Sequence, residues 1–424
     1  MILSAKMIKK KFKIVLSTLP SEGEYQSWIT PKAAQPASVK YIPLGLLSLA
    51  SNLPGHEVVI IDPLFDNLTI KQTIDKINAE KADIVGFSAV SRRSFALYSI
   101  MPKIKAEYVV VGGPHCTVYH DDIIKRGADA VFVGGLADND FASWIEDPQR
   151  GVVVHCATNI KDIKFPNRSL IDYEKYFYSG KVLFESSRRM SMFSSVGCPN
   201  KCTFCTVQGK TVQWKNPNTI AHEIQSMLAL GAESIHIMDD NFNIRRSHIV
   251  GFLDEIENRG INTEWSIRGQ VKFDYSLVPR MKKLGMKRIH VGIESLEDHC
   301  LKWMGKNQTV KDIEEFCRVM NDNEIEIVSY FIIGTPVETT KYVDSLPDKI
   351  EKLKIAIPYV NVLFPEPDTK YYFNLVKSGV YDKDLWKEYF NNPSPDFVIP
   401  SPIGMEKQEI LINKAEEIVR RFMK

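Results

Sequence analysis

Short, nearly continuous apolar runs recur at regular intervals through the first third of the chain: KFKIVL (Lys11–Leu16), EVVIID (Glu57–Asp62), DIVGFS (Asp83–Ser88), EYVVVGG (Glu107–Gly113) and DAVFVGG (Asp129–Gly135). Runs that do not alternate apolar with polar are strands buried on both faces, as in parallel sheets. Helical segments fit between them at Leu44–Leu53, Ile70–Glu80, Ala96–Lys105 and Tyr119–Arg126. The repeat predicts an α/β unit over residues 11–150, a Rossmann-like doubly wound parallel sheet whose ligands bind at the C-terminal strand ends. Small residues occupy those ends: STLPSEG, SAVS, GGPH and GGL. The dinucleotide pattern G-x-G-x-x-G is absent after the first run, which argues against NAD or FAD. The long stretch from Pro20 to Pro43, with Tyr25, Trp28 and Tyr41, reads as a lid or cofactor-covering loop.

A connector over 151–190 leads to a second series. Strands are expected at MFSSV (Met192–Val196), SIHIMDD (Ser234–Asp240), TEWSIRG (Thr263–Gly269), KRIHVGIES (Lys287–Ser295), EIVSYFIIG (Glu326–Gly334) and YVNVLFP (Tyr359–Pro365). Helices fit at Asn218–Leu230, capped by Asn218 or Thr219, and at His248–Asn258. Strand–helix units in this number predict a partial (β/α)6 barrel of TIM type over 191–365, with functional residues at the C-terminal strand ends. Cys198 to Cys205, Asp239, Asp240, Asn241, Arg268 and Glu294 fall there. Residues 366–424 form a helical extension, whose Ile410, Leu411, Ile418, Val419 and Phe422 make a packing face.

A chain of 424 residues exceeds one ordinary core, so two main domains are expected. A net charge of +2 makes no case for nucleic acid or an anionic membrane as partner. No apolar run approaches the about 20 residues that span a bilayer, and Ile14–Leu16 is too short for a signal-peptide core. Met7 is a possible alternative start. A reducing cytoplasmic setting follows, in which disulfides are not expected.

Cys198, Cys202 and Cys205 are spaced C-x3-C-x2-C within SSVGCPNKCTFCTV. A structural zinc site wants two ligand pairs, and no second C-x2-C exists. Cys116, Cys156, Cys300 and Cys317 are scattered singly and read as small buried hydrophobes. Thiolates clustered in one loop suit an iron–sulfur cubane with one iron left open. The spacing alone leaves iron–sulfur, zinc and coincidence as readings.

The segment CPNKCTFC, with Phe204 in the aromatic slot, resembles the C-x3-C-x-φ-C signature of radical S-adenosylmethionine (radical SAM) enzymes. MDDNF, GIES followed by LKWMGK, and YFIIGTPVET resemble later strands of that family's barrel. IPLGLLSLAS and VVVGGPH resemble the cobalamin-binding domain that precedes the barrel in one large branch, so the likeness covers roughly residues 11–365. The resemblance implies that Cys198, Cys202 and Cys205 hold a [4Fe–4S] cluster, and that its open iron takes the amino and carboxylate groups of SAM. Asp239 or Asp240 would meet SAM's ammonium or ribose, and Arg268 its carboxylate through a bidentate fork. Glu294 would meet the ribose or ammonium, Phe204 would stand beside the last thiolate, and Gly334 would let backbone approach the adenine.

Cobalamin would be accepted by the loops at Pro43, Leu44 and Gly45, at Ser88 and Ser91, at Gly112, Gly113 and His115, and at Gly134 and Gly135. The cobalt-ligating motif D-x-H-x-x-G is absent, as it is in this branch, and GGLADND replaces the branch's Gly-Glu-Gly-Glu-like stretch. The expected activity is cobalamin-dependent radical SAM methyl transfer to an unactivated carbon of a small-molecule or natural-product substrate, through a 5′-deoxyadenosyl radical. An electron donor such as flavodoxin or ferredoxin is implied. The alternative is the same architecture performing a rearrangement, carbon–carbon coupling or deoxygenation, possible without bound cobalamin. Rivals of another class are a cobalamin or metal sensor and a zinc module; the sensor calls for a nucleic-acid-binding segment, and none is found.

Overall fold

The computed structural model describes residues 10–25, 41–177, 188–339, 341–394 and 396–422. Trp28 and the central part of the expected covering loop lie outside the described residues, as does Met7. The chain divides into two compact units, one built from 1–26, 42–173 and 386–397, the other from 27–41, 174–385 and 398–424.

The first unit holds a parallel sheet of β1 (Lys13–Ser17), β2 (Glu57–Ile61), β3 (Ile84–Ser88), β4 (Tyr108–Gly112), β5 (Ala130–Val133) and β6 (Val152–His155), ordered β2-β1-β3-β4-β5-β6. The expected strand runs are all present, trimmed by a residue or two at their ends. β6 falls in the stretch read as a connector: its VVVH pairs with β5 from Ala130↔Val152 onward. The order reverses between β1 and β3, and in open α/β sheets that switch point opens a crevice at the carboxyl ends of the strands. On one face Ile14, Leu16, Ile84, Val110 and Phe132 pack against Leu46 and Ala50 of helix Leu44–Ser51 and Phe141, Trp144 and Ile145 of helix Asp138–Glu146. Helix Ile70–Ala79 starts on a capping box, Thr69 with Gln72. The short helix Leu385–Asn391 belongs to this unit from Trp386 onward, with Trp386 and Tyr389 set edge-on to Tyr25.

The second unit begins with β7 (Arg189–Met192) and a two-stranded antiparallel ribbon, β8 (Ser195–Val196) with β9 (Gln213–Trp214). β10 (Ser234–Ile237), β11 (Glu264–Gly269), β12 (Met286–Glu294), β13 (Glu326–Ile333) and β14 (Ile357–Val362) complete a parallel sheet ordered β14-β13-β12-β11-β10-β7. Neighbours in sequence are neighbours in space, the winding of a partial barrel. The first barrel strand therefore ends at Met192, and Ser195–Val196, read as its continuation, turns into the ribbon. The reason is local: Lys215 N donates to Ser194 O (2.9 Å), so the ribbon closes on itself rather than running on beside β10. Helix Pro217–Ala229 is capped by Asn216, two residues before the nearer expected cap, with Pro217 pre-setting the first helical φ. Lys215 and Glu223, both buried, pair at 2.8 Å and anchor this helix beneath the ribbon.

Gly113 follows β4 with φ +99°, and a Cβ there would lie 2.6 Å from Ala89 O and 2.8 Å from Ala89 N. The same loops are stitched by Ala89 N to Gly112 O (2.8 Å) and His115 N to Ala89 O (3.1 Å). Gly113→Ala therefore adds left-handed strain to a backbone clash, and is expected to lower stability by about 2 kcal/mol or more; an unchanged urea midpoint for this unit would contradict that account.

Candidate functional site

The loop between β8 and β9 carries Cys198, Cys202 and Cys205, all free thiols, and the antiparallel ribbon clamps its two ends together. Its entry is held by one carboxylate. Asp239, at the end of β10, is wholly buried and accepts from Ser194 N (2.7 Å), Ser194 Oγ (2.5 Å) and Ser195 Oγ (2.6 Å). Burial pushes its pKa up while these bonds pull it down. His248 Nε2 lies 3.0 Å from Ser194 Oγ, and burial holds that imidazole at about 4, hence neutral. Asp240 faces solvent, and its Oδ2 accepts from Gly197 N at 2.7 Å. Gly197 has φ +92°, and a Cβ there would strike Thr211 O at 2.4 Å. The two aspartates thus divide the work: Asp239 anchors the loop from inside, and Asp240 is the one at the surface.

The far side of the loop is fixed by backbone bonds, Thr203 N to Met304 O (2.9 Å) and Tyr371 N to Thr203 O (2.8 Å). Gly305 makes this approach possible, because a Cβ there would meet Lys201 O at 2.8 Å. Two donors point at sulfur: Val207 N to Cys205 Sγ (3.4 Å) and Asn241 Nδ2 to Cys198 Sγ (3.9 Å). Cys202 is pushed up to about 11 and Cys205 upward, first by burial; Cys198 and Cys205 add to the push on Cys202, and Cys198 to that on Cys205. Among the described residues, the metal-ligand group whose atoms lie within 4.8 Å of one another is Glu297, His299 and Cys300, not the loop cysteines. Three thiols on one loop, with N–H donors directed at Cys198 and Cys205, suit the thiolate ligand set of an iron–sulfur cluster.

Glu294 ends β12 in a left-handed conformation, φ +64°. The β12–β13 register jumps there, from Gly292↔Tyr330 to Glu294↔Phe331, which is a bulge. The bulge re-aims the carboxyl, which is buried and held by Lys306 Nζ (3.4 Å); the same ammonium donates to Gly292 O (2.8 Å). Desolvation raises the Glu294 pKa against the pull of Lys306. Gly292 leaves room for this pose, since a Cβ there would displace the Glu294 carboxyl. Glu294 and Phe204 line one cavity of about 400 Å3, with Tyr330, Asn361, Phe364 and Glu366. Gly334 is not among its lining residues: its absent Cβ makes room for Leu411 of helix Met405–Phe422 (3.0 Å), and its N–H donates to Glu338.

Arg268 lies on β11 opposite His290, among polar groups. His236 Nδ1 meets Ser266 Oγ at 2.7 Å, and His290 Nδ1 meets the Tyr330 hydroxyl at 3.1 Å; burial keeps both rings neutral. The Arg268 Nε is buried with no hydrogen-bond partner among the described residues, a donor waiting for an acceptor.

In the first unit, Gly45, Ser88, Gly112, Gly113 and Gly135 come together around a slot of about 160 Å3 at the β1/β3 switch point. Pro43, Leu44, Ser91, His115 and Gly134 are not among its lining residues. His115 is wholly buried, with Nδ1 at 3.0 Å from Ser91 Oγ and Nε2 at 2.8 Å from the Tyr98 hydroxyl. Burial lowers its pKa to about 3. Both ring nitrogens are engaged, so His115 is a strut between loops and not a metal ligand. Lys306, Gly292, Gly305 and Ser194 escaped the sequence reading, whereas Asn241 was expected at this strand end. Lys306 stands in the quoted LKWMGK, but nothing in its spacing ties it to Glu294 across the bulge.

Comparison with known proteins agrees with this picture. The family model for the radical SAM superfamily matches residues 192–350, and that for the B12 binding domain matches residues 34–138. An uncharacterized methyltransferase of Pyrococcus horikoshii is 24% identical, with 82% of this chain and 81% of that protein covered. The anaerobic magnesium-protoporphyrin IX monomethyl ester cyclase of Rubrivivax gelatinosus is 24% identical, with coverages of 87% and 70%. The fold matches that of the radical SAM methyltransferase TsrM of Kitasatospora setae, solved with cobalamin and a [4Fe–4S] cluster, at a TM-score of 0.65, 17% identity and coverages of 87% and 75%.

Replacing Asp239 by Asn turns an amide N–H toward donors in a buried network. It is expected to cost about 2–4 kcal/mol and to lower iron retention after anaerobic reconstitution, whereas Asp240→Asn keeps most of the iron. Equal iron content in the two variants would contradict the division between them. Both domain types are present in order, so the cofactors are a [4Fe–4S] cluster, SAM and cobalamin, and the chain is a radical SAM enzyme that carries a B12-binding domain.

Proposed function

We propose that this enzyme transfers a methyl group to an unactivated carbon of a small-molecule or natural-product substrate. The carrying observation is the pairing, in one chain, of a three-thiol loop with a glycine-lined slot at the switch point of a B12-binding sheet. The Pyrococcus relative and the Kitasatospora structure are both named methyltransferases, which supports the reading. The Rubrivivax relative is named a cyclase, which keeps a non-methylating radical reaction as the second reading. When bound, the cluster supplies the electron that cleaves SAM, and cobalamin carries the methyl group.

The chain's own residues divide the remaining work. Cys198, Cys202 and Cys205 hold the cluster, and the Asp239 clasp keeps their loop in place while ligands exchange. Arg268 offers SAM's carboxylate a fork whose Nε has no other partner among the described residues. Glu294 offers SAM's ammonium or ribose hydroxyls a carboxyl group, and Lys306 aims that group and pulls its pKa down against the larger upward push of burial. Asp240, at the surface of the loop, takes the role left open between it and Asp239. Phe204 walls the cavity, and Gly334 serves the packing of the C-terminal helix. A low-potential donor protein of flavodoxin or ferredoxin type would feed the cluster.

Lys306 gives the sharpest mutational test. Lys306→Met leaves Glu294 buried without its cation, and a carboxylate in that position protonates or turns away. SAM affinity is expected to fall by about tenfold or more, with the cluster's absorbance unchanged and Lys306→Arg retaining most of the affinity. For the reaction, the enzyme reconstituted with its cluster and cobalamin would be incubated anaerobically with SAM, reductant and candidate small-molecule substrates as methyl acceptors. Methyl transfer predicts S-adenosylhomocysteine together with 5′-deoxyadenosine, and loss of the latter in Cys202→Ala. Deoxyadenosine with no S-adenosylhomocysteine in any fraction would favour the second reading.

A further inference from the structure

The chain that leaves β12 carries, just past Glu294, a cluster that the site above does not use: Glu297, His299 and Cys300. Their ligand atoms, one from each residue, all lie within 4.8 Å of one another. Two of the edges are shorter and share one oxygen. His299 Nε2 stands 3.5 Å from Glu297 Oε2, and Cys300 Sγ stands 3.6 Å from the same atom. Cys300 is wholly buried and the Glu297 side chain is nearly so, whereas the His299 side chain is 48% exposed and opens the cluster to solvent.

We propose that Glu297, His299 and Cys300 form a second metal site, one that takes a zinc-type divalent cation. Zinc bonds thiolate sulfur at about 2.3 Å, imidazole nitrogen at about 2.0–2.1 Å and carboxylate oxygen at about 2.0–2.2 Å, in a tetrahedral array. Those bond lengths give tetrahedral edges of about 3.4 Å for N···O and about 3.6 Å for S···O, so the two measured edges already stand at ligand spacing. The third edge joins the buried thiol to His299, the most exposed of the three, and any adjustment falls on the side chain with the most room. The donor types agree, because thiolate and imidazole suit zinc, whereas magnesium and calcium take oxygen. A thiolate and a carboxylate together balance the charge of a dication, which offsets the cost of burying an unpaired ion. The ligands are themselves held. Thr339 Oγ1 donates to Glu297 Oε1 (2.5 Å), Thr339 N donates to Oε2 (3.2 Å), and Thr335 Oγ1 lies 3.4 Å from Cys300 Sγ. Partners of this kind orient metal-binding side chains. Both threonines follow β13, so the ion clips the ends of β12 and β13 together, just upstream of Met304 and Lys306, which hold the cysteine loop and Glu294.

Metal analysis and zinc-edge X-ray absorption on the cluster-loaded full chain test this, because iron then occupies the thiols of Cys198, Cys202 and Cys205. After anaerobic exposure to zinc sulfate and gel filtration, about one zinc per chain is expected beside the cluster's iron. Its absorption fine structure is expected to show a single sulfur neighbour at about 2.3 Å, with nitrogen or oxygen for the rest. Cys300→Ser is expected to remove the sulfur neighbour and to lower retained zinc by about tenfold or more. His299→Ala changes a half-exposed side chain, so folding is spared, and it is expected to lower zinc likewise; iron content stays unchanged in both variants. Two or more sulfur neighbours would place the ion on the cysteine loop and overturn the assignment. Full zinc retention in His299→Ala would overturn it as well. So would a wild-type chain that keeps no zinc, the outcome expected if the cluster is only a hydrogen-bonded turn in which the Cys300 thiol donates to Glu297. Because iron is counted separately, failure of this site leaves the reading of the cysteine loop standing.

Discussion

A carboxylate with no water around it has to be bonded on nearly every side, and Asp239 meets that requirement with donors drawn from Ser194 and Ser195. Those donors lie at the entrance of the cysteine loop. One desolvated charge thereby fixes the point at which β7 stops behaving as a barrel strand and the β8–β9 ribbon begins. The ribbon in turn sets the spacing of the loop's ends, and the backbone bond from Thr203 to Met304 sets its outer edge. Three thiols on an otherwise irregular loop become a ligand set because the loop is held at both ends and at its middle.

The same logic of buried charge governs Glu294. Its backbone is strained, its register is bulged, and its carboxyl is desolvated, all of which raise its free energy. Lys306 offsets part of this with an ammonium that is itself nearly buried and shared with Gly292 O. Strain held at a strand end beside a cavity fits a group aimed at a ligand rather than at the core. The polar stack below it, His236 with Ser266 and His290 with Tyr330, is unlike the branched aliphatic filling of most parallel barrels. It leaves Arg268 in polar surroundings, where a charged group is tolerated.

The first unit obeys a different rule. Its binding crevice is a consequence of topology, opened wherever a doubly wound sheet reverses its strand order. Chemistry enters only through what lines it, and here the lining is mostly aliphatic, aromatic and glycine, with Ser88 and Asp138 as its polar side chains. His115, the residue in that region with the most chemistry to offer, is consumed as a strut by Ser91 and Tyr98. A corrin accepted here meets shape and apolar surface rather than a ligating side chain.

Both sheets were legible in the residues, because a strand buried on both faces leaves an uninterrupted apolar run that few other elements imitate. β6 was hidden by its shortness and by its place beyond the last expected helix. The cysteine loop was legible too, since its spacing is local and its chemistry belongs to side chains a few residues apart. The choice between Asp239 and Asp240 was not, although they are adjacent: which one turns inward depends on serines more than forty residues upstream. The same holds for Lys306 and Glu294, joined across a bulge that no periodicity announces, and for Gly334, whose neighbour Leu411 comes from the far end of the chain. Sequence by itself determined the strand order of events and the kind of atoms available to bind metal, because those follow from local pattern and side-chain type. Tertiary structure alone decided which charges are buried, which are paired and which remain free to meet a ligand, because desolvation and partnership are properties of the surroundings that folding creates.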